Sequence, residues 1–227
     1  MTNLGTLGGT CTLPSAMNNR GQVVGQSNLA GDVIFHPFLW RERSLLRDLG
    51  TLGGPTGSAN AINDAGDVVG MSDTTTSTHA FLWRRGKMID LGTVDDDCFS
   101  DALGINARSQ VVGNSVSCDG TAGHTFLWEN DHILNLNVFV PPDSGLTLVD
   151  AVNINDRGEI WGNAVRSDGT HRAFLLIPVG DDDPHGITAS LQEGAVPASS
   201  APTSSAVTAA IRARFVRRYY THGLGRN

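Results

Sequence analysis

Ile62-Asn63-Asp64-Ala65-Gly66-Asp67-Val68-Val69-Gly70 reads as the end of one strand, a tight turn and the start of another. The pattern recurs as Met17-Asn18-Asn19-Arg20-Gly21-Gln22-Val23-Val24-Gly25, as Ile105-Asn106-Ala107-Arg108-Ser109-Gln110-Val111-Val112-Gly113 and as Ile154-Asn155-Asp156-Arg157-Gly158-Glu159-Ile160-Trp161-Gly162. Its asparagine advances by 45, 43 and 49 residues from copy to copy. A period in this range marks an array of one supersecondary unit, since one such unit cannot bury its apolar face alone. Within the turn, Asn and Asp side chains bond nearby backbone and the glycine supplies a positive φ. Ser109 stands in that glycine's place in the third copy, so this turn is expected to be slightly strained.

Upstream of the turn, Leu4-Gly5-Thr6-Leu7-Gly8-Gly9 is repeated letter for letter at residues 49–54. Leu91-Gly92-Thr93 keeps half of it, and Leu136 keeps only the leucine. Further upstream runs an aromatic stripe: Phe38-Leu39-Trp40, Phe81-Leu82-Trp83, Phe126-Leu127-Trp128 and Phe174-Leu175-Leu176. These aromatics are expected to pack between neighbouring units, where a large apolar side chain is covered on both sides. One whole unit then reads as strands over 79–84, 87–93, 102–106 and 110–117.

Four short strands per roughly 45 residues is the content of one propeller blade. Counted in this phase, the chain opens with three strands and ends with a lone apolar strand over 173–177. The expected fold is therefore all-β: a propeller of about four four-stranded blades, closed by its N- and C-terminal strands. Closure would remove the open sheet edges of an incomplete array. A fragment of a longer array is the alternative, whereas a β-trefoil needs three units and four are present.

The 227 residues divide into a repeat domain over 1–178, a low-complexity linker over 179–205 and a basic tail over 206–227. In the tail, Val207, Ile211 and Phe215 share a helical face, with Arg212, Arg214, Arg217 and Arg218 supplying charge. Residues 1–178 hold 11 Lys and Arg against 19 Asp and Glu, an acidic balance that argues against a nucleic-acid partner. No apolar run is long enough for a membrane-spanning helix. Met1-Thr2-Asn3-Leu4 enters repeat sequence without a signal-peptide pattern, leaving a cytoplasmic chain or a missing upstream segment as the two expectations. The chain is expected to be a monomer.

His79-Ala80-Phe81-Leu82-Trp83, Asp48-Leu49-Gly50-Thr51-Leu52-Gly53-Gly54 and Ile62-Asn63 with Val68-Val69-Gly70 together resemble the bacterial extracellular HAF-repeat family. The resemblance covers roughly residues 4–177. Pro37 and Thr125 depart from its alanine, and Arg172 departs from its histidine. It implies a secreted or surface-exposed repeat protein and transfers no catalytic activity.

Function in repeat folds collects on the face with long loops, here residues 50–58, 92–101 and 137–146 with the connections 28–35 and 117–124. Asp95, Asp96, Asp97, Asp119 and His124 are the candidate binding residues on that face, with Asp168 beside them. Cys98 and Cys118 are a disulfide candidate, which requires an oxidising compartment. Cys11 has no matching partner. Ca²⁺ is the cofactor to consider, although the DxDxDG ligand spacing is absent and a solvated acidic surface is the simpler reading. His36, His79 and His124 recur at the start of the aromatic strand, expected to be innermost, where three imidazoles could meet a metal or simply bond backbone. No Ser-His-Asp, P-loop, HExxH or GxSxG pattern occurs. The expected function is non-catalytic binding or scaffolding of a glycan or protein ligand; the alternative is a carbohydrate-active hydrolase or lyase with acidic groups at a channel mouth.

Overall fold

The computed structural model describes residues 1–178 and 219–221, and within them the chain is all-β. Four antiparallel sheets follow one another, each a simple meander of four strands. The first holds β1 (Gly8–Met17), β2 (Val23–Leu29), β3 (Phe35–Trp40) and β4 (Arg47–Asp48). The second holds β5 (Gly57–Ile62), β6 (Val68–Asp73), β7 (Thr78–Arg84) and β8 (Lys87–Gly92). The third holds β9 (Phe99–Ile105), β10 (Val111–Val116), β11 (Gly123–Glu129) and β12 (His132–Asn135). The fourth holds β13 (Leu146–Ile154), β14 (Ile160–Arg166), β15 (His171–Pro178) and β16 (Tyr219–Thr221).

This phase corrects the expected closure. The strand carrying Phe174 pairs with β14 on one side and β16 on the other, not with the first unit. Each sheet starts at the strand before the Asn turn, so the aromatic strand is third of four rather than innermost. The fourth strand of the last sheet comes from residues 219–221. The expected helix over 206–220 lies outside the described residues except for Tyr219 and Tyr220, which are in that strand. The linker over 179–205 also lies outside them.

Local sequence explains the repeated sheet. In all four copies the ladder between the first two strands skips one residue: Ser15, Asn60, Leu103 and Val152. Such a bulge bends the strand and re-aims a side chain. The residue opposite is always the glycine of the Val-Val-Gly pattern. A Cβ at Gly70 would collide with the Ser58 carbonyl, and one at Gly113 with the Phe126 ring. Only glycine lets the bulged strand and the aromatic pack this closely.

Each sheet after the first lays its leading strand against the sheet before it. Val24 and Leu39 of the first sheet thus pack with Ala59, Val68, Phe81 and Trp83 of the second. Val69 and Leu82 meet Ala102, Val111, Phe126 and Trp128 in the same way. Val112 and Leu127 meet Ala151, Ile160 and Phe174. Phe81, Trp83, Phe126, Trp128 and Phe174 accordingly lie between sheets, and full burial of each contributes on the order of 2–3 kcal/mol.

Polar groups recur at both ends of the sheets. The second leucine of the Leu-Gly-Thr-Leu-Gly-Gly motif donates its backbone N–H to a buried serine: Leu7 to Ser27 at 3.0 Å and Leu52 to Ser72 at 2.9 Å. Val94 repeats this with Ser115 at 3.0 Å. At the opposite end, Asn18 donates to the Asn63 carbonyl (2.9 Å), Asn63 to the Asn106 carbonyl (3.1 Å) and Asn106 to the Asn155 carbonyl (3.0 Å). The residue that marks the repeat in sequence is therefore the rung that joins unit to unit.

Candidate functional site

The long-loop end brings several expected residues together. Cys98, before β9, and Cys118, before β11, form a disulfide with a Cα–Cα distance of 4.8 Å. His124 Nδ1 lies 2.9 Å from the carboxylate of Asp97, whose side chain is almost fully buried. Asp119 turns away to serve its own loop, accepting from the Ser117 hydroxyl and from the backbone N–H and hydroxyl of Thr121. The Ser117 and Thr121 bonds hold its carboxyl down at about 2. Asp168 is likewise lowered by bonds from Thr170. Asp95 and Asp96 are exposed. Among the described residues no three His, Cys, Asp or Glu side chains gather as metal ligands.

The recurring histidines do not converge either. His36 Nδ1 meets Asp48 at 2.9 Å, His79 Nδ1 meets Asp90 at 3.0 Å, and His124 meets Asp97. Asp48 and Asp90 also accept the backbone N–H of Gly50 and Gly92, both at 2.8 Å. In the third sheet Asn135 occupies the place of those aspartates, opposite Phe126, and Asp97 from the loop takes over the histidine. Each imidazole is thus a clamp from the third strand of a sheet to a nearby carboxylate.

One carboxyl stands out by the upward direction of its shift. Asp101 on β9 is pushed up to about 6 by desolvation, partly opposed by the bond from Asn60 at 2.7 Å. No second acid accompanies it there among its hydrogen-bond partners.

The most distinctive surface lies at the tight-turn end. An open cleft of about 630 Å³ is lined by Arg41, Arg47, Trp83, Arg84, Arg85 and Asp67, with turn residues 65, 66, 86 and 109. Arg47 stacks its guanidinium over the Trp83 ring, 4.9 Å from the centroid. Asp67 is nearly buried and already engaged, accepting from Arg84 Nε at 2.9 Å and from the Ser109 hydroxyl at 2.8 Å. Arg41, Arg47 and Arg85 form no ion pair among the described residues. Three unpaired guanidiniums thus face one opening on a chain whose formal charge is -7. Their planar forks suit carboxylate, sulfate or phosphate oxygens.

Sequence reading placed the candidate site at the other end of the sheets. The available signal was Trp83-Arg84-Arg85-Gly86 in one unit and Arg41 with Arg47 at the same turn of the unit before. The repeat period superimposes those turns, but neither turn taken alone announces a site.

No family model, curated protein or solved structure matches this chain.

Proposed function

We propose that this is a non-catalytic binding or scaffolding protein of the HAF-repeat type, acting outside the cell, whose Arg–Trp cleft takes an anionic ligand. Its four sheets are read as consecutive blades of a propeller-like array. The observation that carries the proposal is the cleft itself: Arg41, Arg47 and Arg85 around Trp83, with Asp67 already neutralised by Arg84. Acidic oligosaccharides are the ligand class a surface-exposed protein would meet there, and the Cys98–Cys118 disulfide supports an oxidising compartment. The hydrolase or lyase reading is weaker, since Asp97 is bound to His124 and Asp119 to its own loop.

Calorimetric titration with sulfated and uronic-acid oligosaccharides, alongside neutral ones of equal length, tests this. Anionic ligands should bind, neutral ones should not, and affinity should fall with added salt. Arg41→Ala combined with Arg85→Ala should weaken binding about tenfold or more, as expected on removing charge-assisted bonds. Equal binding of neutral sugars, or an unchanged affinity in the double variant, would reject the cleft as the site.

A further inference from the structure

The two ends of the array leave exposed the positions that the inner sheets cover. In the first three sheets a residue on the second strand opposes a leucine on the third: Val24 with Leu39, Val69 with Leu82 and Val112 with Leu127. The following sheet covers each pair, leaving 0–1% exposure. In the fourth sheet the corresponding pair is Trp161 opposite Leu175, and these are 49% and 47% exposed. The valine position has become tryptophan, the residue type most enriched at binding hot spots.

The other end is the first sheet. Ala59, Ala102 and Ala151 occupy one position on their leading strands, opposite the Val-Val-Gly glycine, and are fully buried. Pro14 occupies that position on β1 and is exposed. Ile105 and Ile154, just before the Asn turn, are 8% and 4% exposed, whereas Met17 in that place is 69% exposed. The turn ladder ends in the same way. Asn18, Asn63 and Asn106 each reach the next unit's carbonyl, while among the described residues the Asn155 amide donates only to Glu159 of its own turn.

We infer that the fourth sheet of one copy docks on the first sheet of a second copy, head to tail. The occupant follows from continuity: this contact is already made three times inside the chain, with the same strand positions and the same Asn-to-carbonyl rung. Trp161 and Leu175 would lie against the strand bearing Pro14 and Met17, and the Asn155 amide would donate to the second copy's Asn18 carbonyl. Such an interface is heterologous, so it closes into a ring of copies or extends as a filament, according to the rotation between units. The inference is independent of the Arg–Trp cleft and replaces the expectation of a monomer.

Sedimentation velocity on the full chain over a wide concentration range tests it, with Trp161→Asp and Met17→Asp prepared singly. The wild-type chain should associate with rising concentration, and each variant alone should associate at least thirtyfold more weakly, the loss expected for a hot-spot residue. Mixing the two variants is the decisive arm. Each keeps the face the other lacks, so a one-to-one mixture should form dimers and stop there. Circular dichroism melts establish that both variants fold. If one does not, Leu175→Asp or Pro14→Asp takes its place. A wild-type chain that stays monomeric overturns the inference, as it would if residues 179–218 covered Trp161 instead. A mixture that fails to pair also overturns it, because that outcome requires a self-complementary or unrelated contact.

Discussion

The two ends of the sheets use their polar residues in opposite ways. At the tight-turn end, side chains reach across units: Asn18 to Asn63, Asn63 to Asn106, and Ser109 of the third unit to Asp67 of the second. At the long-loop end, several acidic side chains serve their own loops, as Asp119 and Asp168 do, and a disulfide ties the loop before β9 to the connection before β11. Loop length alone therefore does not rank the two ends as places for a ligand. Asp97, Asp119 and Asp168 have partners close by and Asp95 and Asp96 stand exposed, while Arg41, Arg47 and Arg85 at the tight-turn end form no ion pair among the described residues. A rigid end that presents unneutralised charge is better prepared to bind, because little order has to be imposed on the ligand's arrival.

The contrast breaks first at Asn106. Its buried side chain donates to Gln110 and to the Asn155 carbonyl, and accepts from the backbone of Arg108 and Gln110. Asn106→Ala should cost about 4 kcal/mol in denaturant unfolding, since several buried groups lose partners together. Asn155→Ala, at the exposed end of the ladder, should cost less than about 1 kcal/mol. Equal losses would mean that the turns are held locally and that the inter-unit rungs matter little.

The next largest effect belongs to the long-loop end. Replacing Cys98 and Cys118 by serine opens a loop with a sequence separation of 20 and should lower stability by about 3 kcal/mol. Binding of an anionic oligosaccharide should be unchanged in the same variant. A loss of binding together with stability would return the site to the long loops.

The repeat, the all-β class and the role of the turn were legible in the sequence because they rest on local rules. A glycine with positive φ, an Asx turn and an aromatic stripe leave the same letters in every copy. The phase of the sheets was not legible, because a meander can be cut before any of its four strands without changing the pattern. Only the pairing of Gly162 with Phe174 and of Leu176 with Thr221 decides it. The cleft was hidden for a related reason. Arg47 and Trp83 are far apart in the chain, and nothing in either turn alone announces that a neighbouring unit brings them within 4.9 Å.

Asp101 offers a sharper test of the inter-unit bonds, through pH. Its carboxyl is raised to about 6 by burial, above an unfolded value of 3.8. The folded state therefore holds a proton that the unfolded state has already released, and stability falls as pH rises from about 4 to about 6. Asp101→Asn keeps an oxygen for Asn60 and removes the charge. It should raise stability by on the order of 2 kcal/mol at pH 7 and change little near pH 3. A variant with the same gain at both values would show that the Asp101 charge is not the cause.

The smallest effect separates strain from bonding at one turn. Gly21, Gly66 and Gly158 take φ of 70°, 87° and 85°, and Ser109 takes 59° in the same place. Left-handed backbone costs a residue with a Cβ roughly 1 kcal/mol. Ser109 keeps that conformation and its hydroxyl reaches the buried Asp67 carboxylate at 2.8 Å, a bond that crosses units and lines the cleft. Ser109→Ala retains the strain and loses the bond, so it should destabilise by about 1 kcal/mol. Ser109→Gly loses the bond but also relieves the strain, so the two terms should nearly cancel. The difference between the two variants isolates the backbone term. If both lose equally, the serine is unstrained and the bond to Asp67 alone explains its place; if glycine gains outright, the turn would be better served by the residue its three counterparts use.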